Sequence, residues 1–302
     1  MPRLVVQHNT LYRYRKPVRF GEHRLMFRPR DSHDLRLLDA SLVINPRAEV
    51  RWMHDVFSNS IAVARLEESA PELHFESRIE IDHYGLSDPQ FPIAPYARTY
   101  PFSYSSEEAP DLVRTGERHY PDPEGRIDRW ARQFMEGQST IETQELLERV
   151  NGAIRDGFAY QRRYAVGVQN PTDTLDFGAG TCRDFALLMM EAVRALGFAA
   201  RFVSGYLYDP AVDNGSGAAS GEAGGSGLHG SGDTHAWVQV YLPGAGWVEF
   251  DPTNGQVGGA NLIRIAVARD PSQAVPLQGT YIGDADDFIE MTVDVTVNAK
   301  RS

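Results

Sequence analysis

Cys182, His235 and Asp251 have the side-chain types that thiol-based acyl chemistry needs. Cys182 is the only cysteine in 302 residues, so it has no disulfide partner in the chain and belongs to no thiolate zinc cluster. A lone cysteine is ordinarily a small buried hydrophobe, but the surroundings of this one argue for more. It follows Phe177-Gly-Ala-Gly-Thr181 and opens a helical stripe. A glycine-rich turn lets backbone approach closely, and the first amides of a helix are unpaired and carry partial positive charge. A thiol there is favoured as thiolate, its nucleophilic form. The Cys182 N–H would also face a developing oxyanion.

Such a nucleophile needs a base, and the base needs an orienting group. His235 heads the strand-like run Ala-Trp-Val-Gln-Val-Tyr241, and Asp251 ends Trp247-Val-Glu-Phe-Asp251. The turn Leu-Pro-Gly-Ala-Gly between them predicts a hairpin. If Tyr241 pairs with Trp247, then His235 and Asp251 are diagonal neighbours on one face, within reach of longer side chains. A two-residue loop at Gly244-Ala245 without a bulge would put them on opposite faces.

Other chemistries find less support. There is no His-Glu-x-x-His, Gly-x-Ser-x-Gly or Walker-type Gly-Lys-Ser/Thr. His8, His23, His33, His54, His74, His83 and His119 fall in no metal-ligand spacing, and His229 sits in a Gly/Ser-rich segment. No metal and no cofactor is therefore expected. A net charge of −11 argues against general nucleic-acid binding. No stretch reaches the roughly 18 apolar residues of a membrane span, and no signal peptide is evident at Met1-Pro-Arg-Leu-Val-Val. The expectation is a cytoplasmic globular chain, with 42% hydrophobic and 24% charged residues.

The elements that must position the three residues follow from periodicity. Leu73, Phe75, Ile79 and Ile81 alternate with polar residues, as in a strand with one buried face. Similar runs across residues 1–83 predict a small β-sandwich. Residues 84–123, rich in proline and aromatics, read as an extended connector packed on the surface. Helical stripes follow at Ile127, Trp130, Ala131 and Phe134, and at Leu146, Leu147, Val150 and Ile154, the second after an N-cap at Ser139 or Thr140. A third runs from Cys182 to about Leu196, closed by Gly197. The Gly/Ser-rich loop at 214–232 reads as a flexible insertion. Because it ends next to His235, it is also a candidate lid.

Gly180-Thr-Cys182-Arg-Asp184-Phe-Ala186, Arg201-Phe-Val-Ser-Gly205-Tyr, Asp233-Thr-His235-Ala-Trp237-Val and Gly246-Trp-Val-Glu-Phe-Asp251-Pro-Thr-Asn254 together resemble the bacterial transglutaminase-like superfamily over roughly residues 140–260. His8-Asn-Thr-Leu-Tyr12-Arg-Tyr14 with Pro17-Val18, and Leu25-Met-Phe-Arg28-Pro-Arg30, resemble the β-rich domain that precedes the core in one bacterial branch. Many bacterial members have Gln after the nucleophile, where this chain has Arg183.

The resemblance implies an α+β fold: a papain-like core, with a cysteine-bearing helix on an antiparallel sheet, preceded by the sandwich. The expected division is residues 1–105 for the N-terminal β-rich domain and 106–302 for the catalytic domain. The resemblance also implies acyl transfer through a Cys182 thioester, with His235 and Asp251 completing the triad and a peptide or protein as partner. Hydrolysis of peptide, isopeptide or amide bonds is the first expectation. Joining glutamine side chains to amines is the alternative. A non-catalytic scaffold is disfavoured because all three residues are present. Tyr160, Arg183, Asp184 and Trp237 are the candidates for oxyanion or substrate contact. Asp184 could equally serve the helix dipole, Arg183 solvent and Tyr160 the core.

Overall fold

The computed structural model describes residues 3–85, 90–161, 167–213, 228–230 and 232–300. Six long strands open the chain: β1 (Arg3–Phe20), β2 (His23–Arg28), β3 (Leu35–Asn45), β4 (Ala48–His54), β5 (Ser60–Leu66) and β6 (Ala70–His83). Their period-2 pattern does what it predicts. In β6 the Leu73, Phe75, Ile79 and Ile81 side chains are buried, and Val6 and Leu4 of β1 lie opposite Ile79 and Ile81. One sheet contains β1, β6 and β3, and the other contains β2, β5 and β4. Tyr14, Phe20, Leu25, Phe27, Leu66, Leu73 and Phe75 fill the space between them, so the predicted sandwich forms.

The chain does not divide at residue 105 as expected. Residues 277–299 return to the sandwich instead of completing the catalytic domain. Leu277–Gln278 pairs with β2, and Tyr281–Ile282 and Phe288–Ala299 both pair with β1. The physical reason is the exposed edge of β1. It presents a long row of unpaired backbone groups, and an antiparallel strand satisfies them. Val295, opposite His8, is buried on this added strand.

The connector packs as expected. Tyr100 stacks on Phe198 at 5.4 Å and its hydroxyl donates to Leu196 O, while the Tyr104 hydroxyl donates to Tyr241 O and accepts from Ala199 N. It also forms a helix that the sequence did not disclose, α1 (Ala109–Gly116), in which only Leu112 is buried. Next come α2 (Arg126–Arg132), α3 (Thr143–Gly157), α4 (Pro171–Phe177) and α5 (Cys182–Ala195). Helix α3 starts at Thr143, not after Ser139 or Thr140. Thr143 is fully buried and its hydroxyl donates to Ala97 O, which ties the helix start to the connector.

Helix α5 is buried on nearly every side. One side meets α2, α3 and α4, and the other meets an antiparallel five-stranded sheet. The sheet order is Gln256–Val257, Gly246–Asp251, His235–Leu242, Ala200–Leu207, Leu262–Ala268. The sandwich docks on the sheet's far side. The Asn59 carboxamide pairs with both backbone groups of Val267, His8 Nδ1 lies 2.8 Å from the Tyr206 hydroxyl, and His83 Nε2 lies 3.1 Å from Leu262 O. His8 and His83 thus serve the packing of the sandwich on the sheet. Among the described residues, no helix is long and apolar enough to cross a membrane.

Placing a charge at Val295 tests whether the last strand is integral. Val295→Asp should cost about 3 kcal/mol or more, as an uncompensated buried charge does, and lower the melting temperature by roughly 6 °C or more. A shift under about 2 °C in calorimetry would mean the strand contributes little.

Candidate active site

The position of Cys182 is set by the turn before it. Thr181 is extended at φ −88° and ψ 172°, and forms a reciprocal cap with Asp184. The Asp184 carboxylate accepts from Thr181 N at 2.9 Å, from the Thr181 hydroxyl at 2.8 Å and from Gln169 N at 2.7 Å. Gly180 is required by proximity: a Cβ there would sit 2.9 Å from Asp184 Cβ and 3.1 Å from Gln169 Nε2. Cys182 is therefore fixed as the first residue of α5, where its N–H has no partner within the helix.

The histidine and aspartate strands form the hairpin in the register that the chemistry needs. Tyr241 pairs with Trp247, and Val238 with Phe250. The turn Pro243-Gly244-Ala245 holds Gly244 at φ +85°, where a Cβ would lie 2.6 Å from Pro92 O. With an odd loop, His235 and Asp251 share a face. His235 Nε2 lies 2.8 Å from Asp251 Oδ2, and both side chains are buried.

Burial opposes a charged imidazole, but the adjacent Asp251 carboxylate more than offsets it, and Cys182 adds to the effect. His235 is raised to about 10. Burial likewise opposes the Asp251 carboxylate. His235, the Asn254 amide and Thr253 N hold it below the usual carboxylate range. Thr253 N and Asn254 N reach Oδ1 at 3.0 and 3.4 Å, and Asn254 Nδ2 reaches Oδ2 at 2.8 Å. The other imidazole nitrogen, Nδ1, is enclosed and makes no hydrogen bond of full geometry among the described residues. Since Nε2 is taken by Asp251, Nδ1 is the pole left for the thiol. The arrangement can hold a thiolate–imidazolium pair and pass a proton through Nδ1.

The four other nominated residues separate. Asp184 is consumed by capping and serves the backbone. Arg183 is exposed on the solvent side of α5. Trp237 is not placed to meet a substrate: it is fully buried, its indole N–H donates to Glu249, and its ring stacks on His235 at 5.9 Å. Tyr160 stays beside the site. It pairs with Gly180 across a short parallel bridge, and its ring stacks on His229 at 4.8 Å. The sequence reading missed Asn254 as a partner of Asp251, although Asn254 closes the Asp-Pro-Thr-Asn run that Asp251 opens. It also missed the buried Glu249, which joins Trp237, Gln239 and Arg264. Among the described residues no group of three or more His, Cys, Asp or Glu could hold a metal ion. Most of the candidate lid, residues 214–227 and 231, lies outside the described residues.

Comparison with known proteins agrees with this architecture. Residues 128–252 match the transglutaminase-like superfamily, and residues 4–82 match the bacterial transglutaminase-like N-terminal region. An uncharacterized protein of Mycobacterium leprae is 34% identical over 124 residues, 41% of this chain and 40% of that one. An uncharacterized protein of Mycobacterium tuberculosis is 26% identical over 301 residues, 96% of this chain and 91% of that one. A protein-glutamine gamma-glutamyltransferase of Pseudomonas aeruginosa is 36% identical over 110 residues, 36% of this chain and 15% of that one. A solved structure from Cytophaga hutchinsonii, described as a candidate cysteine protease, superposes with a TM-score of 0.71 at 17% identity. It covers 98% of this chain and 91% of that one, so the two share the whole fold.

The raised imidazole makes stability depend on pH. Its folded value near 10 lies above the ordinary value near 6.5. The contribution is therefore complete below about pH 6.5 and is lost as pH rises through about 10. Asp251→Asn removes the cause. The melting temperature of the wild-type chain should exceed that of the variant most near pH 6, and the gap should shrink toward pH 10. A gap that stays constant over that range would contradict the charged pair.

Proposed function

We propose that this chain, which belongs to the transglutaminase-like superfamily, is a thiol-dependent acyl-transfer enzyme that hydrolyses peptide, isopeptide or amide bonds through a thioester on Cys182. The observation that carries the reading is the buried His235–Asp251 contact of 2.8 Å beside a cysteine at a helix N-terminus.

The mechanism follows from these positions. Asp251 fixes the imidazole through Nε2 and favours its charged form, which leaves Nδ1 toward the thiol. The Cys182 sulfur attacks the carbonyl carbon, and the Cys182 N–H faces the oxyanion that forms. Collapse of the tetrahedral intermediate breaks the C–N bond. Nδ1 gives its proton to the leaving amine, and a thioester remains. Neutral His235 then takes a proton from water as the water attacks the thioester. The carboxylic acid leaves, and the sulfur and imidazole return to their starting state. Water as acceptor needs no further binding site.

A second reading has support of its own. The identity to the Pseudomonas aeruginosa protein-glutamine gamma-glutamyltransferase extends over 110 residues. It favours an amine as acceptor and a glutamine side chain as donor, with the same three residues at work.

The test is to incubate the chain with a library of peptide amides, isopeptides and glutamine peptides, with and without a labelled primary amine. The mass of the acyl group on Cys182 identifies the donor. Release as a carboxylate or as the labelled amide identifies the acceptor. Cys182→Ala should fold and form no adduct. Asp251→Ala should lower turnover by about 10⁴-fold, as loss of an orienting carboxylate does. Turnover at the wild-type rate in either variant would overturn the assignment.

A further inference from the structure

Cys182, His235 and Asp251 are 6%, 1% and 0% exposed, so little of the site meets solvent. Among the described residues, Leu228, His229 and Gly230 form a short strap against the pair. Leu228 N donates to Asp209 Oδ2 at 2.9 Å, and the Leu228 side chain packs against the cluster of Val203, Leu207, Trp237, Leu262 and Val267. The His229 ring stacks on Tyr160 with an interplanar angle of 21°. Gly230, at φ +97°, lies so close to the imidazole that a Cβ would sit 2.4 Å from His235 Nδ1. The strap thus covers the ring pole that the proposed chemistry uses.

One side chain joins this strap to the aspartate. Asn254 Oδ1 accepts from His229 N at 2.9 Å. Asn254 Nδ2 donates to His229 O at 3.1 Å and to Asp251 Oδ2 at 2.8 Å. That Asp251 oxygen is also the partner of His235 Nε2. A carboxamide supplies one acceptor and two donors in a single plane, so every polar atom of Asn254 is engaged. An aspartate of the same shape would lose both donations and set a second carboxylate against Asp251.

We infer that Asn254 is a positioning residue that couples the 228–230 strap to the Asp251–His235 pair. With the strap down, Asn254 is held from both sides, the carboxylate keeps its orientation and His235 Nδ1 is covered. Lifting the strap opens the site and releases one side of that grip. The inference rests on the reading of Cys182, His235 and Asp251 as the catalytic residues.

The test uses the full chain and two readouts that need no substrate. The first is alkylation of Cys182 by iodoacetamide at pH 7, read by intact mass and unambiguous because there is one cysteine. The second is the downfield proton resonance of the imidazole Nε2–H in histidine-labelled protein. His229→Ala removes the stack on Tyr160 but keeps the backbone bonds to Asn254. It should speed alkylation and retain the resonance. Asn254→Ala should speed alkylation by about tenfold, the scale of one lost hydrogen bond, and lose the resonance to exchange. Asn254→Asp, nearly identical in shape, should reproduce Asn254→Ala and carries the test should the alanine variant fold poorly. Asn254 variants with wild-type alkylation, or with the resonance intact, would overturn the coupling. So would loss of the resonance in His229→Ala, because cover alone would then explain it. A wild-type chain with free-thiol alkylation and no such resonance is a different result: the catalytic reading itself would then be wrong.

Discussion

The buried contact between His235 and Asp251 is the constraint on which the other features depend. A carboxylate and an imidazolium removed from water are strongly unfavourable unless paired and hydrogen-bonded. Here the pairing fixes the register of two strands, because a slip of one residue would leave both charges buried and alone. Asp251 also draws on the chain that follows it. Thr253 N, Asn254 N and the Asn254 side chain all turn back to its oxygens. The tight turn after the strand is thus part of the same electrostatic arrangement. The imidazole, held at Nε2, presents Nδ1 in one direction only.

A second buried carboxylate connects that pair to the rest of the molecule. Burial pushes Glu249 up, although Arg264, Trp237 and Gln239 all oppose the shift. Trp237, which Glu249 holds through its indole N–H, forms one wall of the His235 pocket. Arg264 reaches on to Asp34 at 3.1 Å, and Asp34 belongs to the N-terminal sandwich. This gives the sandwich a physical role. It covers the sheet face that α5 does not, and it supplies charge and hydrogen-bond partners to strands that would otherwise present polar groups to solvent. The Asn59 clamp on Val267 serves the same end at the sheet edge.

Much of the site was legible in the sequence because it is built from local rules. The turn Leu-Pro-Gly-Ala-Gly marks the hairpin but leaves its register open between an odd and an even loop, and the helical stripe from Cys182 to about Leu196 marks the helix. Thr181-Cys-Arg-Asp184 spells a capping box, so the role of Asp184 was readable as well. What escaped depends on distant partners. Val293, Val295 and Val297 alternate as a strand should, yet only the open edge of β1, nearly the whole chain away, says where that strand goes. Helix α1 escaped because Leu112 is its only buried residue. Trp237 was misjudged for the same reason. Its motif position places it beside His235, but its N–H is committed to Glu249, and nothing in the sequence states that pairing.

The most direct measurement of the central claim is the pH profile of Cys182 alkylation in the wild-type chain and in Asp251→Asn. The account predicts that at pH 6 the wild-type thiol reacts faster than that of the variant, because the charged His235 beside it favours the thiolate. It predicts that the variant loses this reactivity at pH 6. A wild-type rate climbing about tenfold per pH unit toward 8.5, as an ordinary thiol's does, with no difference from Asp251→Asn, would contradict it.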